Sequence, residues 1–160
     1  MKDKIILDNE TYKRIERKIY EYFESKKEIN VLEGDVEILQ KNVEQIQRDI
    51  QTLSTRFNNK STFSDKQIQE AVTKLENELT MKIRRILKLK NKVRSIEEKN
   101  SRIKNNIETL DKMSKAILEN KYSRKRSNVA IGMDLGYSEH GIRKRNKKII
   151  CEIGKFMRWI

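Results

Sequence analysis

The run INVLEGDVEILQKNVEQIQRDIQTLSTRF, residues 29–57, decides the fold class. Its apolar residues fall at alternating steps of three and four: Ile29, Leu32, Val36, Leu39, Val43, Ile46, Ile50, Leu53 and Phe57. A repeat of about 3.5 residues keeps one seam on one face of a supercoiled helix. Ile29, Val36, Val43, Ile50 and Phe57 take one class of seam position and Leu32, Leu39, Ile46 and Leu53 the other. All nine places the repeat demands are filled, so the segment is predicted to be a long helix that pairs with another. Gly34 inside it costs about 1 kcal/mol of helix stability.

On the N-terminal side, a helix beginning near Asn9 carries Tyr12, Ile15, Ile19, Tyr22 and Phe23 along one face. On the C-terminal side, NNKSTFSDKQ (residues 58–67) interrupts the pattern, with the break at 58–64. Ser64 followed three residues later by Gln67 has the form of a capping box, with Asp65 in the first turn of a new helix. The second seam runs Ile68, Val72, Leu75, Leu79, Lys82, Ile86, Leu89, Val93, Ile96, Asn100, Ile103, Ile107, Leu110, Ser114 and Ile117. It is offset by one residue from the first. Two topologies satisfy these facts. A short connection suits an antiparallel hairpin within one chain. Asn100, between Val93 and Ile107 in the seam, suits a parallel homodimer, because a single buried asparagine selects two-stranded coils. The homodimer is the preferred expectation.

The stretch SNVAIGMDLGYSEHGIRKRNKKIICEI, residues 127–153, has the grammar of a helix-turn-helix. Val129, Ile131 and Leu135 give a short first helix an apolar edge; Gly132 marks a close crossing and Gly136 a turn. Ser138 is an expected N-cap, Glu139 suits the positive end of the helix dipole, and Ile142, Ile149 and Ile153 form the buried side of a second helix. Between Tyr137 and Lys148 there are five positive residues and one negative, a net +4 in twelve residues. Such a helix fits the DNA major groove. The plain alternative is a solvated basic face, but that needs neither glycine at these offsets. One residue departs from the usual pattern: Arg145 stands three positions beyond Ile142, where an aliphatic residue is common, and its stem is expected to cover the core while the guanidinium reaches water or phosphate. Leu110, Ile117, Leu118 and Tyr122 are expected in a supporting helix that continues from Ile107. Arg124, Lys125 and Arg126 form a basic loop suited to phosphate contacts, as do Lys147 and Lys148. Ile153, Phe156, Met157 and Ile160, with Trp159, extend the apolar stripe as core.

Composition agrees with an all-α chain. Apolar residues make up 36% and charged residues 38% of 160, there is no proline, and only five glycines occur. The net charge is +13, of which residues 111–160 carry +8 and the first 110 carry +5. The basic excess at one end suits nucleic acid better than membrane, because no apolar run approaches the roughly 20 residues a spanning helix needs. The opening MKDKIILDNE lacks the apolar core of a signal peptide, so a cytoplasmic location is expected. Cys151, the sole cysteine, excludes an internal disulfide and a cysteine metal cluster, and beside Ile149 and Ile150 it reads as a packing residue. His140 is the sole histidine and reads as solvated. Neither a catalytic triad nor a Gly-rich phosphate loop is visible, so no enzyme activity, cofactor or metal is expected. The expected organisation is a helical coiled-coil hairpin or stalk over 1–110 and a helix-turn-helix domain over 111–160.

The block from Ile117 to Phe156 resembles region 4 of sigma-70-type factors, and it is similar above all to phage late-gene transcriptional activators of the RinA, ArpU and LtrC kind. ERKIYEYFESKKEINVLEGDVEIL (residues 16–39) and FSD (residues 63–65) resemble the front of those activators. The resemblance implies a protein that binds double-stranded DNA at a late promoter and works with host RNA polymerase to switch on packaging, capsid and lysis genes. It places Ser138, Glu139, His140, Arg143 and Lys144 against the major groove. Where region 4 commonly has Arg, Glu, Arg and Gln, this chain has Glu139, His140, Gly141 and Lys144, so recognition of the usual promoter element does not carry over. Sigma regions 2 and 3 have no counterpart. Two competing functions remain: a polymerase-binding accessory protein with only nonspecific DNA contact, and a coiled-coil adaptor whose basic end meets an acidic protein or RNA.

Overall fold

The structure, a computed structural model, describes residues 7–58 and 65–160, with Phe57 and Asn58 described by backbone alone. The break at 58–64, the Ser64 cap, the Phe63–Ser64 part of FSD and the Phe57 seam position therefore lie outside the described side chains. Helix is the only regular secondary structure among the described residues. In order they form α1 (Asn9–Asn58), α2 (Asp65–Glu108), α3 (Lys112–Leu118) with a π-helical turn Glu119–Ser123 at its end, α4 (Asn128–Leu135) and α5 (Glu139–Phe156). No helix among them is long and apolar enough to cross a membrane.

Two compact units divide the chain: one holds the residues up to Glu28 together with Ile96–Ile160, the other Ile29–Ser95. The sequence reading placed its boundary at 110. The structure divides inside α1 and α2, because the first turns of α1 and the last turns of α2 share a core with everything after residue 110. Ile15, Ile19, Tyr22 and Phe23 are buried in one cluster with Ile103, Ile107, Ile117, Leu118, Tyr122, Ile131, Ile142 and Ile150. Such long-range packing leaves no local mark in the sequence.

In the unit Ile29–Ser95 the two helices run antiparallel. Leu53 and Arg56 of α1 line one cleft with Ile68, Ala71 and Lys74 of α2. Leu32, Val36 and Ile46 on one helix and Ile68, Ile86, Leu89 and Val93 on the other are buried, and the described residues of the unit include no third element to cover them. The remaining described seam residues are half-buried, whereas the off-seam Val31 and Ile38 are exposed. Lys82, a seam position, keeps its stem partly covered and its ammonium on Glu78 at 3.6 Å. Of the two topologies the sequence left open, α1 and α2 take the antiparallel one within this unit.

In the other unit, α1 starts at Asn9, where Asp8 Oδ1 accepts the Thr11 N–H at 2.7 Å. The long helix does not run on through Leu110 as the sequence suggested. α2 ends at Glu108, and Asp111 caps a new helix by accepting the Ser114 N–H at 2.7 Å. That cap supplies an acceptor that only a chain break can use. Asn100 Nδ2 is buried and has no acceptor among the described residues.

Candidate nucleic-acid interface

The geometry after residue 118 follows from three chain-reversing devices. First, the π-helical turn widens α3 at its end, with the Arg124 N–H bonded to the Glu119 carbonyl at 3.0 Å. Lys125 then takes a left-handed conformation at φ 54°. Second, Ser127 caps α4 by accepting the Ala130 N–H at 3.2 Å. Third, Gly136 ends α4 at φ 76°, a conformation costly for residues with a Cβ, and Ser138 starts α5 by accepting the Gly141 N–H at 3.0 Å. Only Gly136, Tyr137 and Ser138 lie between the two helices, so the turn is tight. Gly132 is required by it: a Cβ there would lie 2.3 Å from the Tyr137 carbonyl oxygen.

α5 is fixed by its inner face. At about 100° per residue, Ile142, Asn146, Ile149, Ile150 and Ile153 share one arc, and all are buried. Gly154 lets this arc approach α1, because a Cβ there would meet Ile15 Cδ1 at 2.7 Å. Asn146 is the polar member of the arc. With no exposed surface, it donates to the Tyr12 hydroxyl at 3.1 Å and to the Tyr122 hydroxyl at 2.9 Å. Tyr122 in turn donates to Glu16 Oε1 at 2.9 Å. Burial pushes the Tyr122 hydroxyl far above its ordinary range, with the Glu16 charge adding to the effect, so it stays a neutral donor. The sequence reading missed Asn146 because it searched for apolar types; its position, four residues after Ile142 and seven before Ile153, was the available signal.

The outer face carries the residues expected to meet DNA. His140, Lys144 and Lys148 follow at four-residue steps on the side opposite the buried arc, and all three are exposed. Arg143 and Lys147 are exposed on one flank. Arg143 also reaches Glu139 at 2.9 Å, a pair on the exposed first turn. Arg145 covers no core. It is exposed on the other flank, its guanidinium 4.2 Å from the Tyr137 ring centroid, because Asn146 takes the inward place. Ser138 spends its oxygen on the cap. Val129, expected on the inner edge of α4, is half exposed, and Met133 one turn later is 81% exposed; Ile131 and Gly132 form the inner side.

The basic loop separates by role. Arg126 is half-buried and braced: it bonds Asn120 Oδ1 at 3.2 Å and pairs closely with Asp134, whose carboxyl is held below its ordinary range by that bond. Lys125 lies 3.5 Å from Glu24 of α1. Arg124 is exposed. Lys121, not singled out from the sequence, lines a cleft of about 400 Å³ with Arg143, Lys147, Asn128, Tyr12 and Glu16. Further on, Cys151 is half-buried and burial pushes its thiol up, away from reactivity. Ile153 is buried, while Phe156 and Ile160 are substantially exposed. Trp159 lies under Lys18, whose Nζ is 4.2 Å from its ring centroid, and its carbonyl accepts from Arg14 at 2.7 Å.

The arrangement presents an exposed cationic ridge on a helix whose inner face is locked by packing and a buried hydrogen-bond chain. No family model matches the chain, and neither curated proteins nor solved structures give a match.

Proposed function

We propose that the chain is a sequence-specific DNA-binding transcriptional activator whose α4–turn–α5 segment is a helix-turn-helix. The observation that carries this reading is the pairing of a left-handed Gly136 between α4 and α5 with an exposed His140, Lys144 and Lys148 ridge on the second. A surface helix with no ligand needs neither the tight entry nor the buried anchor of Asn146. Ser138, Glu139, His140, Arg143 and Lys144 form the end that enters the major groove; Arg124, Lys125, Arg126, Lys147 and Lys148 supply positive charge along the flanking backbone. The concentration of charge after residue 110 supports the same polyanionic partner.

The narrower reading, activation of phage late genes with host RNA polymerase inside the bacterial cytoplasm, rests on the resemblance of the block from Ile117 to Phe156. Pairing of two copies belongs to the proposal as well. It is supported by the apolar side chains that the antiparallel unit leaves exposed, Val31, Ile38, Met81, Ile83 and Leu87. Footprinting of phage and host promoter DNA with the purified full chain tests the function. A discrete protected site of two half-sites is expected. Protection spread evenly over all sequences assigns the chain to an accessory or adaptor role with nonspecific contact.

A further inference from the structure

We propose that the cleft lined by Lys121, Arg143 and Lys147 holds one DNA backbone phosphate, and that Arg143 therefore grips the backbone instead of reading a base. The inference rests on the DNA-binding reading above and names a contact within it.

Three cations from two separate elements converge on one cleft of about 400 Å³. Lys121 comes from the π-helical turn, Arg143 and Lys147 from one flank of α5. The cleft's lining acid, Glu16, is half-buried and already accepts the Tyr122 hydroxyl; with Glu139, which holds Arg143 at 2.9 Å on the exposed first turn, two acids face three cations, a net positive site. Lys121 is held in place by Asn128 Oδ1 at 3.3 Å, and Asn128 is the first residue of α4, whose positive dipole end is therefore at the cleft. Bringing like charges together is unfavourable in the free protein. Burial, with Arg143 nearby, holds the Lys121 ammonium below its ordinary range despite Glu16. A phosphodiester reverses that repulsion and receives several charged donors at once. Position on the helix gives the division of labour. Arg143 and Lys147 lie within about 100° of the buried Asn146 around the helix, whereas Lys144 stands opposite it. A groove-filling helix meets base edges with its outermost ridge and the sugar-phosphate wall with its flanks.

The test measures binding of the full chain to a 30-base-pair duplex bearing the footprinted site and to a random duplex, across a salt series. Variants are Lys121→Gln, Arg143→Gln, Lys147→Gln, the three combined, and Lys144→Gln. If the three cations clamp one phosphate, each single change among them weakens both duplexes by the same factor, about 3 to 10. The triple variant then flattens the log–log salt slope by about 0.9 in total, where three separate phosphates give about 2.7. Lys144→Gln instead lowers the preference for the specific duplex. An additive triple variant, unchanged affinity on Lys121→Gln, or loss of affinity on Arg143→Gln confined to the specific duplex overturns the phosphate seat and leaves DNA binding standing. Absence of binding to either duplex by the wild-type chain overturns both. Competition by inorganic phosphate alone, without duplex binding, identifies a free-anion site and likewise overturns the proposal. Circular dichroism melting of each variant keeps a folding defect from counting as a loss of contact.

Discussion

Asn146 of α5 donates to the Tyr122 hydroxyl at 2.9 Å, and Tyr122 relays the bond to Glu16 of α1 at 2.9 Å. A helix with a basic outer face is thus tied to the first helix of the chain through a buried amide. Asn146 Oδ1 meets no donor among the described residues, so the amide's two N–H bonds carry its whole compensation for burial. Asn146→Ala should lower the unfolding free energy by about 2 to 4 kcal/mol, since it leaves two hydroxyls short of a donor and opens a cavity. Tyr122→Phe should cost about 1 to 3 kcal/mol. In a double-mutant cycle by urea denaturation the two should couple by at least about 0.5 kcal/mol. Strict additivity would show that the bond is incidental.

The glycines separate turn from helix. Gly136→Ala should destabilise by about 1 to 2 kcal/mol because of the left-handed backbone it forces on alanine. Gly132→Ala should cost at least as much, about 1 to 3 kcal/mol, because its methyl runs into the Tyr137 carbonyl. Gly34→Ala has open space and a helical backbone, so the same change there should stabilise by about 0.5 to 1 kcal/mol. Thermal melts of the three variants read opposite signs if the turn is as described.

Those contrasts show what a sequence makes legible. The hairpin seam could be read because Leu32, Val36 and Ile46 state their burial by type and spacing together. Gly136 and Ser138 could be read because few residues serve a left-handed turn or an N-cap. For Asn146 only its place on the inner arc could be read; its partners could not, since the Tyr12 and Tyr122 hydroxyls that accept from it come from distant segments, Tyr122 being tied in turn to Glu16. Arg145 was misplaced for the same reason: with Asn146 inside, it had only the Tyr137 face to cover. The division of the chain inside α1 was hidden because a continuous helix can pack its two ends in different units.

Acid should weaken the fold in a narrow window. Asp8 and Asp111 are held low by backbone N–H bonds from Thr11 and Ser114, Asp134 by the bond from Arg126, and Glu24 by Lys27 and then Lys125. Each is depressed in the folded state, so its contribution is complete above the unfolded value of about 4 and is lost as pH falls through the native values. Melting temperature should be flat for these groups between pH 7 and 5 and drop toward pH 3. Asp111→Asn should reduce that drop. A decline already complete by pH 5 would locate the titration elsewhere.

On DNA, Lys144→Ala should lower specific binding by about 1 to 3 kcal/mol and relax preference at one base pair, because Lys144 stands on the outermost line of α5. Arg126→Ala should act differently. Its guanidinium braces Asn120 and Asp134, so the variant should lose thermal stability as well as affinity. Equal loss of affinity on specific and random duplexes for Lys144→Ala would reduce α5 to an electrostatic patch.

Asn100 distinguishes packing within one chain from a seam between two. Its Nδ2 is buried beside the seam residues Ile96 and Ile103 without an acceptor, a state that costs about 1 to 3 kcal/mol. Asn100→Leu removes that donor and adds apolar surface at the same position, so it should raise the unfolding free energy by about 1 kcal/mol. Because the amide is enclosed by its own chain, it is out of reach of a partner, and the mass by light scattering should match that of the wild-type protein. A variant that melts lower and also changes its mass would mean that the amide works across two chains, as a parallel coil requires, and that the enclosure seen around Asn100 is wrong.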